Sequence, residues 1–567
     1  MSKALFICFR KLQNRNFKEL GEAIAKRLEP DNVTATQPYI FSDKNTFTLI
    51  YNPSPTIKTD GPSLCLGMSD GSDSLFIPNS PLPDGSYALF RAGEEMAEAS
   101  SDFAASRTMW YYKSEEIFMV STSQRMAIAF FGNFELNNKA CGWFLSSGTL
   151  GPGHSWDKRL QIVPPRTRLL LNRNSWEFKI EKNVNFGFNT DAETVKDAVS
   201  HKQKLIDVVQ KAVESLHIIP SQWTLALSGG MDSRSLLFHL QNPELRAVTW
   251  GLKMAMNQAT SDARIGKKLA KKTNVPHQYA EMDYKEGSFP TLINRFIQAS
   301  EGRIDHLAGY LDGLQLWGDL SETGRGVIRG YDAFGRKPPV KNEHQVRRTC
   351  NLSITTSQTT IPEKFRITEN DIPLHLSRND GETLEDWRDR LWLQHRTPVT
   401  TAALEDIKLS YVEIVNPLLS EQVVRAVQSL PVTLRNDKKV WDTITSEMFP
   451  GIPFAKREAV QEVGEVLNLK DVEDYICDTL RNHKDSTIFP KSFLNYLIDS
   501  YGSDYQKESF RRGLRKLIKA YLPKFIENII RANVNTGFLS NQWLATRTFM
   551  ILRINEMLVE DAKIGDI

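Results

Sequence analysis

The chain has 567 residues, 41% apolar and 25% charged, a length that implies several domains at roughly 150 residues each and a composition that excludes disordered, collagenous and coiled-coil classes. Lys and Arg number 71 against 68 Asp and Glu, a formal charge of +3, so no global basic field marks nucleic acid as a partner. Five cysteines stand at 8, 65, 141, 350 and 477 with no CxxC pair, which excludes a disulfide framework or structural zinc site and fits a reducing, cytoplasmic setting.

In chain order, the first apolar run, Ala4 to Phe9, is too short for a signal h-region or a membrane span. Arg10 and Lys11 follow it, so it reads as a buried strand. Phe17–Leu28 has the apolar spacing of an amphipathic helix. Thr46–Tyr51, Ser86–Arg91, Met109–Lys113 and Ile117–Ser121 are β-branched and aromatic, with turn residues such as Pro83-Asp84-Gly85 between them. The front of the chain, 1–185, therefore reads as a β-rich domain. Near residue 186 the texture changes. Thr190 or Asp191 can cap a helix that runs on from about Ala192 to Leu216. From Trp223 onward strand and helix alternate: TLAL (224–227), Asp232–Leu240, Ala247–Trp250, Gln258–Thr273 and Gln278–Met282. That rhythm predicts an α/β unit with a parallel sheet, assigned to 186–460. The remainder, 461–567, reads as a helical extension. Within it, residues 506–524 carry seven Lys or Arg beside Phe510, Leu514, Leu517 and Tyr521. Such a segment can bind anionic lipid, nucleic acid or an acidic leader peptide, or simply pack its apolar face on the core.

The chemistry concentrates where the TLAL strand meets Ser228-Gly229-Gly230-Met231-Asp232-Ser233. A glycine-rich turn at a helix N-terminus brings backbone N–H groups and the helix dipole to bear on an anion. Ser228 and Ser233 add hydroxyls. Asp232 would repel a phosphate unless a divalent cation lay between, which predicts a Mg²⁺-bound polyphosphate. The plain alternative is a capped strand-to-helix turn.

This SGGMDS loop resembles that of the ATP pyrophosphatases, and further segments resemble the asparagine synthetase-like branch of that family. AVTWG (247–251) with the helix opened by Asp262 is similar to the second strand and helix of that branch. The resemblance makes Trp250 and Gly251 adenine-pocket residues, although Trp250 and His277 also suit packing at strand ends. VIRGYDAFGRK (327–337) is similar to the second pyrophosphate loop, with Gly330 against phosphate and Asp332 as a metal carboxylate beside Asp232. Arg329 falls where the family carries a catalytic Glu or Tyr, and an Arg there could orient a carboxylate or phosphate. Glu413 and Pro417 match the segment that ends in Pro-Phe-Leu in the family, and Glu413 could serve the site or hold local backbone. LRNDKKVW (434–441) followed by FPGIPFAKR (449–457) resembles the closing signature, which makes Lys456 the first choice for the phosphate-side lysine, with Lys438 and Lys439 next.

LQIVPPRTRLLL (160–171) and its neighbours resemble the amidotransferase half of asparagine synthetases, which implies an Ntn-hydrolase-like sandwich of antiparallel sheets flanked by helices. The family's N-terminal cysteine is not matched: the chain reads Met1-Ser2-Lys3, and Cys8 lies inside the first strand. The expectation is a scaffold without glutaminase chemistry, with Ser2 as a minor alternative nucleophile.

Together these features imply an ATP- and Mg²⁺-dependent, AMP-forming ligase. It would adenylate a small-molecule or peptide carboxylate, release pyrophosphate and pass the acyl group to an amine, as β-lactam synthetases and lasso peptide cyclases do. An asparagine synthetase running on ammonia, a tRNA-modifying pyrophosphatase-loop enzyme and a binding scaffold with a relic loop are the alternatives. The lack of a Cys pair and of a basic surface speaks against the second. The expected partners are the carboxylate and the amine, with no nucleic acid and no membrane span, and with a homodimer or a partner enzyme of a biosynthetic cluster compatible with the family.

Overall fold

The computed structural model describes residues 2–12, 15–71, 73–182, 186–187, 198–331, 333, 340–456, 459–502 and 539–566. Asp332, the capping residues Thr190 and Asp191, and the basic segment 506–524 lie outside the described residues.

The front half holds two six-stranded antiparallel sheets. The first runs in the order β10 (Gln161–Ile162), β8 (Trp110–Lys113), β9 (Ile117–Ser121), β1 (Lys3–Phe9), β3 (Thr46–Tyr51) and β2 (Tyr39–Ser42). The second runs β12 (Phe178–Lys182), β11 (Thr167–Asn172), β7 (Met96–Ser101), β6 (Gly85–Ala92), β5 (Ser63–Ser69) and β4 (Lys58–Asp60). β1 shows how the layers form. Ala4, Phe6 and Cys8 face the second sheet, where they join Leu66, Phe90 and Ala99. Leu5, Ile7 and Phe9 face outward onto helices. Strand alternation sends successive side chains to opposite faces, so a wholly apolar strand is buried on both. Burial pushes the Cys8 thiol up to about 12.

Among the described residues, helices cover the outer face of the first sheet. Helices Phe17–Leu28, Gln124–Phe131 and Asn138–Ser147 contribute to the core that covers the first sheet. On the outer face of the second sheet, Leu75 packs with Cys65, Tyr87 and Leu89. The loop that carries Leu75 is held there by Arg91, which is wholly buried against Glu98 and donates to the Leu75 carbonyl at 2.7 Å. The same domain also leans on the second half of the molecule. Asp84 accepts the N–H groups of Glu421 (2.7 Å) and Gln422 (3.3 Å), the opening residues of helix Glu421–Gln428. The helix thus takes an acidic cap from another domain.

The second half is built on a parallel sheet in the order β15 (His277–Glu281), β14 (Arg246–Gly251), β13 (Trp223–Ala226), β16 (Gly326–Ile328) and β17 (Ile414–Val415). All four neighbouring pairs are parallel. Strand succession reverses at β13, which lies between β14 and β16. In an open α/β sheet that reversal opens a crevice beyond the C-terminal strand ends. Helices Ala198–Ser215, Met231–Leu240, Asp262–Thr273 and Glu421–Gln428 pack around the sheet through Val209, Leu236, Leu269 and Val423.

One expected boundary differs. The helix predicted over 258–273 begins at Asp262, because Ser261 caps it by accepting the Arg264 N–H at 3.3 Å and a short 3₁₀ turn, Lys253–Asn257, precedes it. In the last helix, Asn541–Ala562, Phe549 and Ile551 share one core with Met126 of the front domain and Phe296 of the second.

Candidate functional site

β13 and β16 run side by side, with Leu225 paired to Ile328, and each ends in a loop at the crevice. After β13 comes Ser228-Gly229-Gly230, after β16 comes Arg329-Gly330. A pocket of about 320 Å³ opens there, lined by Ser228, Ser233, Trp250, Asp262, Arg329 and Gly330 among others.

The loop is tied to itself. The Ser228 N–H donates to Ser233 Oγ at 3.0 Å, the Gly230 N–H to Ser228 Oγ at 3.2 Å, and the Gly229 N–H to Asp262 Oδ1 at 2.9 Å. The expectation that the loop amides wait for phosphate is therefore corrected in part. Gly229 and Gly230 donate within the chain because Asp262 and Ser228 sit close enough to accept. What remains for an anion is the start of helix Met231–Leu240, whose N-cap Gly230 has no side-chain cap. Glycine is required for packing at two points. A β-carbon on Gly229 would lie 2.6 Å from that of Ala455, and one on Gly330 would lie 2.7 Å from the Asp232 carbonyl carbon and the Ser233 nitrogen.

Asp232, in the first turn of that helix, accepts from Trp441 Nε1 at 2.8 Å and pairs with Lys438 Nζ at 3.4 Å. Lys438 is thus the lysine placed on the loop's carboxylate, and both Asp437 and Lys438 adopt left-handed backbone, φ 55°. Lys456, the first choice from sequence, has an exposed side chain that does not line the pocket. Its backbone is fixed, with the Lys456 N–H on the Thr260 carbonyl (2.9 Å) and the Ala455 N–H on that of Gly229 (3.0 Å). The preceding turn is clamped by Arg234, wholly buried, which donates to the carbonyls of Ile452 and Pro453 at 2.8 Å each and stacks 4.3 Å from the Phe454 ring. Burial lowers the Arg234 pKa to about 10.

On the β14 side, Trp250 lines the pocket and meets Trp317 edge-to-face at 5.5 Å. Gly251, φ 155°, is crossed by the 459 segment, with the Leu252 N–H on the Ala459 carbonyl at 2.6 Å. His277 Nε2 lies 2.9 Å from Thr249 Oγ1, which donates to the Leu227 carbonyl at 2.5 Å. Burial lowers the His277 pKa to about 4, so it is a neutral strut under the loop.

On the β16 side, Arg329 donates from Nη1 to Glu405 Oε1 at 2.6 Å, and Lys408 Nζ lies 3.4 Å from the same oxygen. Glu413 is turned away: it forms a buried ion pair with Arg107 of the front domain and does not line the pocket. Glu405, Lys408, Arg234 and Trp441 were not singled out by sequence. Two of them carry a visible signal: Arg234 directly follows the SGGMDS loop, and Trp441 ends the LRNDKKVW segment.

For a divalent cation the candidate from sequence, Asp232, stands at the helix start with 17% of its side chain exposed but is not among the residues that line the pocket; the carboxylate that lines it is Asp262. No group of three or more His, Cys, Asp or Glu side chains is placed to hold a metal among the described residues. A Mg²⁺ that rests on one or two carboxylates and completes its shell with phosphate oxygens and water fits such a site. No described helix is long and apolar enough to cross a membrane.

No protein-family model matches the chain, and no curated protein matches it. Among solved structures it is similar to glutamine phosphoribosylpyrophosphate amidotransferase from B. subtilis, complexed with ADP and GMP, at 9% identity over 59% of this chain and 83% of that chain, with a TM-score of 0.19. That likeness is too slight to place the chain in a family.

Proposed function

We propose that the chain is an ATP- and Mg²⁺-dependent, AMP-forming ligase of the asparagine synthetase-like type, which adenylates a carboxylate and transfers the acyl group to an amine. The observation that carries this reading is the position of the SGGMDS loop. It sits at the reversal point of a parallel sheet, before an uncapped helix, and faces a second glycine loop across one pocket. Ligands of open α/β sheets bind at that place, and a helix start of that kind favours phosphate.

In this reading the start of helix Met231–Leu240 receives the triphosphate, and Asp232 with Asp332 would hold Mg²⁺. Mg²⁺ supplies charge neutralisation of the polyphosphate. Trp250 and Gly251 bound the adenine side. Lys438, already on Asp232, offsets charge at the phosphates, with Lys456 as the alternative. The substrate carboxylate attacks the α-phosphorus and pyrophosphate leaves. An amine nitrogen then attacks the acyl carbon, AMP leaves, and the amine's proton passes to solvent. The protein's share is alignment and fixed charge. The front domain serves as scaffold: Cys8, the cysteine nearest its start, is buried inside β1 with its thiol pushed up to about 12, which suits no nucleophile.

The test is a screen of carboxylate and amine pairs for pyrophosphate release from ATP. Release that needs both supports the ligase. Release with aspartate and ammonia alone makes it an asparagine synthetase, and failure to bind ATP leaves a binding scaffold.

A further inference from the structure

Behind the pocket's β16 wall lies a cluster with one carboxylate for two cations. Arg329, at the end of β16, lines the pocket, and its side chain keeps 20% of its surface exposed. Glu405 and Lys408, on helix Ala402–Leu409, are 2% and 3% exposed. Both cations address the same oxygen, Glu405 Oε1, while Glu405 Oε2 is buried with no hydrogen-bond partner. Lys408 Nζ also donates to the Leu404 carbonyl at 2.7 Å and stands 5.7 Å from the Trp317 ring and 5.9 Å from that of Tyr310. A neighbouring carboxylate, Asp406, is paired with Arg303. Glu413 is taken by Arg107. With Arg329 and Lys408 both charged, the cluster carries one positive charge in excess, in a place from which water is largely excluded.

Such an excess is relieved in two ways: the ammonium gives up its proton, or an anion joins the cluster. Arg329 is the member that faces the pocket, so an anion joins there. A guanidinium offers a planar pair of donors suited to a carboxylate.

We propose that Arg329, Glu405 and Lys408 form the carboxylate subsite of this pocket, in which Arg329 receives the carboxylate and Lys408, as a positioning residue, takes up from solvent the proton that balances it. The proposal rests on the ligase reading for its substrate class. Burial and the Arg329 charge lower the Lys408 pKa to about 7, against the pull of Glu405 and Asp406. In the free protein the amine is thus half-titrated near neutrality. A carboxylate on Arg329 raises its pKa and draws a proton in. Carboxylate affinity therefore weakens as pH rises through about 7, by up to about tenfold per pH unit.

The experiment uses the full chain without ATP and acetate as the probe, with chloride at equal ionic strength as the control. Calorimetry in buffers of different ionisation enthalpy gives both the acetate affinity and the protons taken up. The wild type is expected to take up protons with acetate but not with chloride. Its acetate affinity should fall as pH rises above about 7. Lys408→Met should bind acetate with no proton uptake and no pH slope. Lys408→Arg, permanently charged, should show no slope and the wild type's low-pH affinity. Arg329→Met should lose acetate binding. An unchanged slope in Lys408→Met, or no acetate-linked uptake in the wild type, overturns the proposal. If Lys408→Met does not fold, Lys408→Arg and the wild-type proton count decide. Since no ATP is present, these outcomes are independent of whether the protein releases pyrophosphate, and a protein that never cleaves ATP would fail the ligase reading without touching them.

Discussion

Gly330 lies against Asp232, so that the loop after β16 leaves no room for a side chain at the start of the helix after β13: a β-carbon on Gly330 would stand 2.7 Å from the Asp232 carbonyl carbon and 3.0 Å from its Cβ. The carboxylate that anchors the proposed metal thus depends on a residue 98 positions away in sequence (330 − 232 = 98). Gly330→Ala is expected to push the first turn of helix Met231–Leu240 off its place. The overpacking should cost about 1–3 kcal/mol of stability, and the ATP requirement should rise at least severalfold. Chemical denaturation and ATP titration of the variant check this; wild-type ATP affinity in Gly330→Ala would show that the two loops need not touch.

The Arg234 clamp makes a second expectation. Arg234→Met keeps the apolar stem but loses the bonds to the Ile452 and Pro453 carbonyls and the stacking on Phe454. Hydrogen bonds to a charged group contribute about 1.5–3 kcal/mol. The strap 452–456 should loosen, with earlier hydrogen exchange at the Ala455 and Lys456 amides and weaker nucleotide binding. Unchanged exchange at those amides would contradict it.

How far the site was legible follows from where its parts lie in sequence. The strand, glycine loop and helix from Leu225 to Leu240 are contiguous, so spacing and residue type suffice to place them. β16 and β17 span only Gly326–Ile328 and Ile414–Val415. Strands that short carry no alternation, and their pairing is set by long-range contact. Lys408 and Glu405 were invisible for a related reason. Nothing in their spacing marks them, and they are buried by the packing of Tyr310, Trp317 and Arg329 around them. Glu413 was matched by motif, but its partner Arg107 sits in another domain, so its interdomain role could not be read locally.

That pairing gives a third expectation. Arg107 and Glu413 are buried across the domain interface, and burial lowers the Arg107 pKa to about 10. Removal of one partner strands the other, a loss of about 3–5 kcal/mol. Arg107→Met with Glu413→Leu should lose much less than the sum of the single changes. Denaturation of the four members of this cycle measures the coupling; additive losses would mean that the two side chains do not interact.

Lys408 links stability to pH. Its folded pKa, about 7, lies below the value of 10.5 expected unfolded. Below about 7 both states carry the charge, and the folded state bears its full burial penalty. Between the two values the unfolded chain holds a proton that the folded one has released, so stability from this group rises with pH. The slope is up to about 1.4 kcal/mol per pH unit. Lys408→Met should remove that rise relative to wild type, as followed by urea denaturation across the interval. An identical pH dependence in both proteins would place the Lys408 titration elsewhere.

The most direct measurement is the product of ATP cleavage in wild type and Asp232→Asn. The asparagine keeps an acceptor for Trp441 Nε1, so the fold is preserved while the anionic ligand is lost. Full-chain protein is incubated with ATP, Mg²⁺ and the carboxylate and amine found in the screen, and nucleotides are resolved chromatographically. AMP and pyrophosphate are expected in equal amounts from the wild type and at least a hundredfold less from Asp232→Asn, the loss of about 2.7 kcal/mol of barrier lowering. ADP and phosphate as products, or AMP formation by Asp232→Asn at the wild-type rate, would contradict that expectation.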